Sequence, residues 1–240
     1  MSSNDQRHAA ELSWLDNDVP VSVAFDDAYF AYSDGWAETD EVFISGNDLP
    51  ARWSQGAGLS IGELGFGTGL NFLATLHAWR SQTSESHRNA RLSMTSFELT
   101  PLDWEVMARV FARWPALSEL AVELEPQWSD VVVGAVAHGR DWSLKLVVGD
   151  ARTTVDDWDG VVDAWYLDGF SPSKNPELWS EDLLRSVYAR TRPGGTFSTY
   201  TAAGWVRRAL ANAGFEVERV KGFDRKRERL QGYRADEVSA

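Results

Sequence analysis

The segment Ile61-Gly62-Glu63-Leu64-Gly65-Phe66-Gly67-Thr68-Gly69-Leu70-Asn71-Phe72 holds the densest set of chemically capable positions in this 240-residue chain. Three glycines alternate with single residues, directly after an apolar run and directly before a helical pattern. Glycine permits the tight turn and the close ligand approach that such a junction requires, and the N–H groups at a helix start face the crevice. A dinucleotide fingerprint needs its third glycine one place later, where this chain has Leu70, and an acid such as Glu63 inside the strand is unusual there. The E-x-G-x-G-x-G spacing fits S-adenosylmethionine, which has no pyrophosphate to cradle. The plainer alternative is a glycine turn with no ligand.

Three further acids stand at the ends of apolar runs. Glu98 closes Thr95-Ser96-Phe97-Glu98-Leu99, where a carboxylate can accept hydrogen bonds from both hydroxyls of a ribose. Asp150 closes Leu146-Val147-Val148-Gly149-Asp150-Ala151, where it can accept from an adenine amino group. Each can instead cap the helix that follows. Asp168 ends Ala164-Trp165-Tyr166-Leu167-Asp168 and leads into Gly169-Phe170-Ser171-Pro172-Ser173-Lys174-Asn175-Pro176. A carboxylate there can hold an amine by its N–H bonds and take or relay its proton, while Phe170 helps exclude water. Its structural alternative is to cap the loop. Lys174 reads equally as a phosphate contact or an exposed loop lysine.

The elements that position these residues are legible in the periodicity. From Leu59 onward, short apolar runs at 59–64, 92–97, 144–148, 163–167, 196–200 and 215–220, with a last near 229–233, alternate with helical patterns. This predicts an α/β fold, a doubly wound, mostly parallel seven-stranded sheet that binds ligands at the carboxyl ends of its strands. Val206, Ala209, Leu210 and Ala213 share one helical face, and Gly214 stands where a helix C′ glycine belongs. Asn175 before Pro176 reads as an N-cap with Pro at N1, and Pro193-Gly194-Gly195 as a turn. Residues 1–54 form an expected β-rich extension, with strands or hairpins at Val23-Ala24-Phe25, Tyr29-Phe30-Ala31-Tyr32 and Glu41-Val42-Phe43-Ile44. Residues 55–240 form one compact domain.

Composition removes several classes of function. With no cysteine, disulfides, thiolate nucleophiles and Cys-ligated metals are excluded. The four histidines, His8, His77, His87 and His138, show no metal-ligand spacing, so no metal is expected; His77 shares a helical face with Leu70 and Leu73 and reads as a core or edge residue. No G-x-S-x-G elbow and no G-x-x-x-x-G-K-[ST] loop occurs. The tryptophans, among them Trp79, Trp104, Trp114, Trp142 and Trp205, read as packing residues. The N-terminus has no apolar core, and the longest apolar stretch, 131–137, is far short of the roughly 20 residues of a membrane span. A cytoplasmic protein without a membrane partner is expected. A net charge of −13 argues against a generic nucleic-acid binder, yet residues 205–234 hold nine basic residues against four acids. That local excess is a docking patch for a polyanion or a solvated polar face.

Beyond these motifs, the chain resembles the methyltransferase module of the MnmC family of tRNA wobble-uridine enzymes and its stand-alone MnmD-type forms. The resemblance rests on Phe25 to Phe30, Glu38-Thr39, the Glu63–Phe72 loop, Ser96-Phe97-Glu98, Leu167-Asp168-Gly169-Phe170, Lys174-Asn175-Pro176, Arg192 to Thr196, and Lys221-Gly222-Phe223 with Arg225-Lys226-Arg227-Glu228. It implies a class I S-adenosylmethionine-dependent (Rossmann-like) fold and methylation of the amine of 5-aminomethyl-2-thiouridine in tRNA. Carried onto this sequence, it places Glu63, Gly65, Gly67, Gly69 and Asn71 around the methionine end of the cofactor, and Glu98 with Leu99 at the ribose. Asp150 with Ala151 falls at the adenine, Tyr29 and Phe170 over the cofactor, and Asp168 against the acceptor amine. Lys174, Arg225, Lys226 and Arg227 become contacts to the tRNA anticodon region. The fused MnmC enzymes continue into a flavin-dependent oxidase, whereas this sequence ends at Ala240, so no FAD is expected in this chain; a stand-alone enzyme and a piece of a longer one both fit. Competing readings are a methyltransferase of another amine, an NAD oxidoreductase, and a non-catalytic RNA-binding module on the same fold.

Overall fold

The computed structural model describes residues 10–54, 58–82 and 90–236. The chain opens with a small antiparallel sheet in the order β1 (Leu12–Leu15), β2 (Val19–Ser22), β3 (Asp27–Ala28). Helix α1 (Gly35–Glu38) follows, capped by Asp34, whose Oδ1 accepts from the N–H groups of Trp36 and Ala37 at 3.0 and 3.1 Å. It runs on through a π-helical stretch, Thr39–Ile44, and a short turn into α2 (Leu49–Trp53).

The extension is therefore strand-rich only in its first half. Val23-Ala24-Phe25 is the turn between β2 and β3, Tyr29 to Tyr32 is a bend, and Glu41 to Ile44 is helical. Val42, Phe43 and Ile44 are all buried, so no period-2 alternation existed to mark a strand, and a short apolar run does not distinguish a strand from a buried helix.

The main sheet is built from β4 (Leu59–Leu64), β5 (Leu92–Glu98), β6 (Val136–His138), β7 (Trp142–Val148), β8 (Val162–Leu167), β9 (Thr191–Thr199), β10 (Glu216–Lys221) and β11 (Glu228–Tyr233). Their order is β10-β11-β9-β8-β4-β5-β7-β6, parallel across β9-β8-β4-β5-β7 and antiparallel at both margins. The sheet has one strand more than the periodicity predicts. The addition, β6, is a three-residue edge strand, too short to leave a pattern. Chain direction across the sheet reverses at β4, with β5 on one side and β8 on the other, which opens a crevice at the carboxyl ends of this trio.

The helices are α3 (Leu70–Gln82), α4 (Trp104–Phe111), α5 (Pro115–Leu124), α6 (Trp128–Val131), α7 (Ala151–Asp157), α8 (Glu181–Ala189) and α9 (Gly204–Ala213). Helix α3 departs from the two-faced pattern: Leu70 through Leu76 are buried without interruption. A helix apolar all round must be covered all round. The cover comes from the extension, whose Val42, Phe43, Ile44, Leu49 and Trp53 share one core with Ile61, Phe72, Leu73 and Leu76.

Three local expectations change in detail. Pro193-Gly194-Gly195 lies in a bulge at the start of β9, where Val162 faces Thr191 and Ala164 already faces Thr196. Asn175 gives no side-chain cap; Pro176–Trp179 is a single 3₁₀ turn, and α8 begins later. Trp205 is 39% exposed, whereas Trp79 and Trp142 are buried and Trp104 and Trp114 pack against the core. Gly214 ends α9 at φ 118° as its position implies. His77 meets the ring of Trp36 edge-on at 4.9 Å, and His8 and His87 lie outside the described residues.

Gly62 faces Trp165 across the β4–β8 pairing, and a Cβ built there lies 2.7 Å from the indole ring. The ring is fully buried and has nowhere to retreat. Gly62→Ala is expected to cost about 1–3 kcal/mol through overpacking, read as a lower urea midpoint at unchanged slope; an unchanged midpoint would show that the sheet can yield there.

Candidate active site

Gly65, Gly67 and Gly69 have φ of 83°, 53° and 75°, in the region where L side chains are strained. The loop they make is pinned at both ends, since the N–H of Gly65 donates to Phe97 O at 2.8 Å and that of Gly69 to Phe66 O at 2.9 Å. Its middle is held by Glu98, whose Oε2 accepts the N–H of Gly67 at 3.0 Å while Oε1 accepts from Thr100 at 2.8 Å. A Cβ at Gly67 would lie 3.0 Å from the ring of Tyr29. The extension thus closes directly over the glycine loop.

Beneath the loop, Asn71 in the first turn of α3 joins two acids. Its Nδ2 donates to Glu63 Oε1 at 2.9 Å and to Asp168 Oδ2 at 2.8 Å, and its Oδ1 accepts from Thr39 Oγ1 at 2.7 Å. Glu63 has no exposed surface. Burial pushes its carboxyl up to about 8, against the Asn71 hydrogen bond and the nearby Ser96 hydroxyl and with added repulsion from Asp168 and Glu98. Asp168 is pushed up to about 7 by burial first and by Glu38 second, opposed by the N–H of Gly169, by Asn71 and by Lys226. A carboxyl near 7 can accept or return a proton at neutral pH.

Gly65, Gly67, Asn71, Glu98 and Asp168 line one cavity of about 530 Å³, within the range of small-molecule sites, whereas Glu63 and Gly69, expected at the cofactor, do not line it. Leu99, Asp150 and Ala151 form its wall at the ends of β5 and β7. Asp150 also caps α7 and pairs with Arg152 at 2.5 Å, which lowers its carboxyl, so the capping reading and the wall position hold together. Phe170 stacks on Phe25 at 4.6 Å and meets Tyr29 edge-on at 5.1 Å, forming an aromatic roof.

The basic residues divide. Lys174 binds Asp26, through both its backbone oxygen and its carboxylate, so it fastens the extension to the β8 loop. Arg225 and Arg227 are exposed in the β10–β11 loop. Lys226, expected beside them as a phosphate contact, lines the cavity instead: its Nζ donates to Glu38 Oε1 at 2.9 Å and lies 4.0 Å from the ring centroid of Tyr200. The physical reason is a buried acid on α1 with an aromatic face beside it. Arg229 is buried too, bonded to Ser198 Oγ at 3.0 Å, so the basic excess of 205–234 is only partly a surface patch.

Glu38 and Tyr200 are the site residues that periodicity did not reveal. Tyr200 follows β9 just as Asp168 follows β8, and that shared position was the available signal. Among the described residues no group of three or more His, Asp or Glu is placed to hold a metal ion.

Residues 115–235 match the family model described as S-adenosyl-L-methionine-dependent methyltransferase. The chain is 43% identical over 228 residues to the tRNA 5-methylaminomethyl-2-thiouridine biosynthesis bifunctional protein MnmC of Caulobacter sp. (strain K31), covering 93% of this chain and 38% of that protein. The protein of the same name from Aeromonas hydrophila is 44% identical over 244 residues, 98% of this chain and 36% of its own length. This chain therefore spans less than two fifths of these relatives. Among solved structures, MnmC2 from Aquifex aeolicus superposes with a TM-score of 0.73 at 22% identity, over 99% of this chain and 74% of that one, and shares the fold.

Glu63 supplies a stability test. Its carboxyl lies near 4.5 in an unfolded chain and near 8 when folded, so between those values the folded state holds a proton that the unfolded state has lost. Stability therefore falls as pH rises through this window. Glu63→Gln removes this contribution, and the variant without ligand is expected to melt near wild type at pH 5 and about 5 °C or more above it at pH 8.5. A difference independent of pH would refute the buried-acid account.

Proposed function

The chain belongs to the S-adenosyl-L-methionine-dependent methyltransferases, and from that premise we propose that it methylates the amine of 5-aminomethyl-2-thiouridine at the wobble position of tRNA, giving 5-methylaminomethyl-2-thiouridine. The observation that carries this reading is Asp168, which lines one cavity with the glycine loop and is tied to Glu63 through Asn71. The identity to MnmC proteins over nearly the whole chain supplies the choice of acceptor.

The cofactor's residues fit the group. Gly67 leaves open the space that a Cβ would fill under Tyr29, and the adjacent cavity wall offers Glu98, Leu99, Asp150 and Ala151 to a nucleoside. S-adenosylmethionine, when bound, supplies a sulfonium methyl for in-line transfer to a nitrogen lone pair, the electrons of the broken C–S bond staying on sulfur.

This chain's own residues do the rest. Asp168 keeps a free lone pair on each oxygen beyond its bonds to Asn71 and Gly169, so it can hold the acceptor's N–H and receive the proton the nitrogen sheds. Tyr29 and Phe170 exclude water from the reacting atoms. The exposed Arg225 and Arg227 stand beside Lys226 at the cavity mouth, where phosphates flanking a splayed base would pass. Residues 1–54 act as the cover and 55–240 as the catalytic body. No described helix is long and apolar enough to cross a membrane, and a tRNA acceptor places the activity in the cytoplasm.

With labelled S-adenosylmethionine and tRNA bearing the aminomethyl nucleoside, nucleoside digestion is expected to show a wobble base heavier by one methyl; no product from folded protein would overturn the acceptor. Asp168→Asn should lower kcat about 100-fold or more while retaining cofactor-induced thermal stabilisation. In the wild type, kcat/KM should rise with pH through an acid limb near 7, and Asn71→Ala, by removing a bond to the ionised form, should move that limb upward. Charge reversal of Arg225 and Arg227 together should raise KM for tRNA and flatten its dependence on log salt by about one to two units; unchanged salt dependence would remove both from the interface.

A further inference from the structure

The cavity mouth holds an arrangement that the methyl-transfer machinery leaves unused. Glu38, whose side chain is 10% exposed, has one oxygen fixed by the N–H of Ala31 at 2.9 Å and presents the other to Lys226 Nζ at 2.9 Å. The same ammonium lies 4.0 Å from the centroid of Tyr200. That ring is itself fixed, because its hydroxyl donates to Gly169 O at 2.7 Å and Trp179 meets it edge-on at 6.3 Å. Glu38, Tyr200, Lys226 and Asp168 come from α1, the end of β9, the β10–β11 loop and the end of β8, and all four line the same cavity.

A buried carboxylate beside a fixed aromatic face is a site for an organic cation, since both attract positive charge and the ring face adds attraction that water does not screen. Both contacts are made to the ammonium itself. The lysine that fills the site is 44% exposed and sits on a loop, so its departure disturbs little. An aminomethyl acceptor brings the same headgroup, a primary ammonium on a short methylene arm. Two ammonium groups cannot share one such site without strong repulsion.

We propose that Glu38 and the face of Tyr200 form the docking subsite for the primary ammonium of the acceptor, and that Lys226 fills this subsite as a stand-in until the acceptor displaces it. The inference rests on the amine-acceptor reading of the cavity, but the subsite recognises a primary alkylammonium whether or not RNA carries it. The arriving ammonium docks beside Asp168, which takes its proton before the nitrogen becomes a nucleophile. Lys226, once displaced, returns to the exposed loop beside Arg225 and Arg227.

The test uses the full chain and two probes, n-butylammonium and the free nucleoside 5-aminomethyluridine, with binding measured by calorimetry. Lys226→Ala should bind both about tenfold more tightly than wild type. Adding Tyr200→Phe to that variant should preserve the gain, and adding Tyr200→Leu should abolish it, with circular dichroism confirming that each protein is folded. If Lys226→Ala binds no more tightly than wild type, or if the Leu and Phe variants bind alike, the subsite is refuted. The two readings separate: tighter probe binding with no methylated tRNA would leave the subsite standing and remove the RNA acceptor, whereas methylated tRNA without tighter probe binding would do the reverse.

Discussion

A primary amide has two hydrogens, and Asn71 gives one to each of two acids that lie far apart in the chain, Glu63 and Asp168. The rest of the site depends on this division. Both acids are driven toward their neutral forms by burial, and a buried carboxyl without a donor is costly. The amide can reach both only if β4 and β8 are neighbours in their observed register and α3 starts where the glycine loop releases it. Correct folding of the sheet centre and correct placement of the Asp168 carboxyl are therefore one constraint.

The extension enters through the same amide. Thr39 holds the oxygen of Asn71 and so fixes which way the amide faces. It can do so because the first two turns of α3, Leu70 to Leu76, have no solvent face, which forces a third layer over the usual two. That layer also delivers Tyr29 and Phe25 to the cavity roof and Glu38 to its mouth. A segment recruited to cover an apolar helix thus supplies much of the cavity's lining, and Lys174 anchors it to the loop after Asp168.

Electrostatics follow from this geometry. Glu38, Glu98 and Asp168 line one cavity, with Glu63 buried one hydrogen bond away through Asn71, in a chain of net charge −13. Such a field favours cationic ligands and disfavours a polyanion over most of the surface, so the proposed contact with nucleic acid would fall to a small part of the basic segment. The segment divides by function: Arg229 is buried against β9, Lys226 faces inward on Glu38, and Arg225 and Arg227 remain outside.

The linear order of residues determined the strand-and-helix alternation from Leu59 onward, the glycine loop, and the acids at strand ends. These are local signals: apolar runs, positive-φ glycines and carboxylates adjacent in the chain to the element they terminate. The edge strand β6 was too short to register, and the helical turn at Glu41 to Ile44 was hidden because continuous burial erases the periodicity that separates helix from strand. Tertiary structure alone decided that Asn71 bridges Glu63 and Asp168, and that Lys226 turns toward the cavity onto both Glu38 and Tyr200. The deciding contacts, Asn71 to Asp168 and Glu38 to Lys226, join residues about 100 to 190 positions apart, and their energies come from burial and charge in three dimensions and leave no trace in the spacing along the chain.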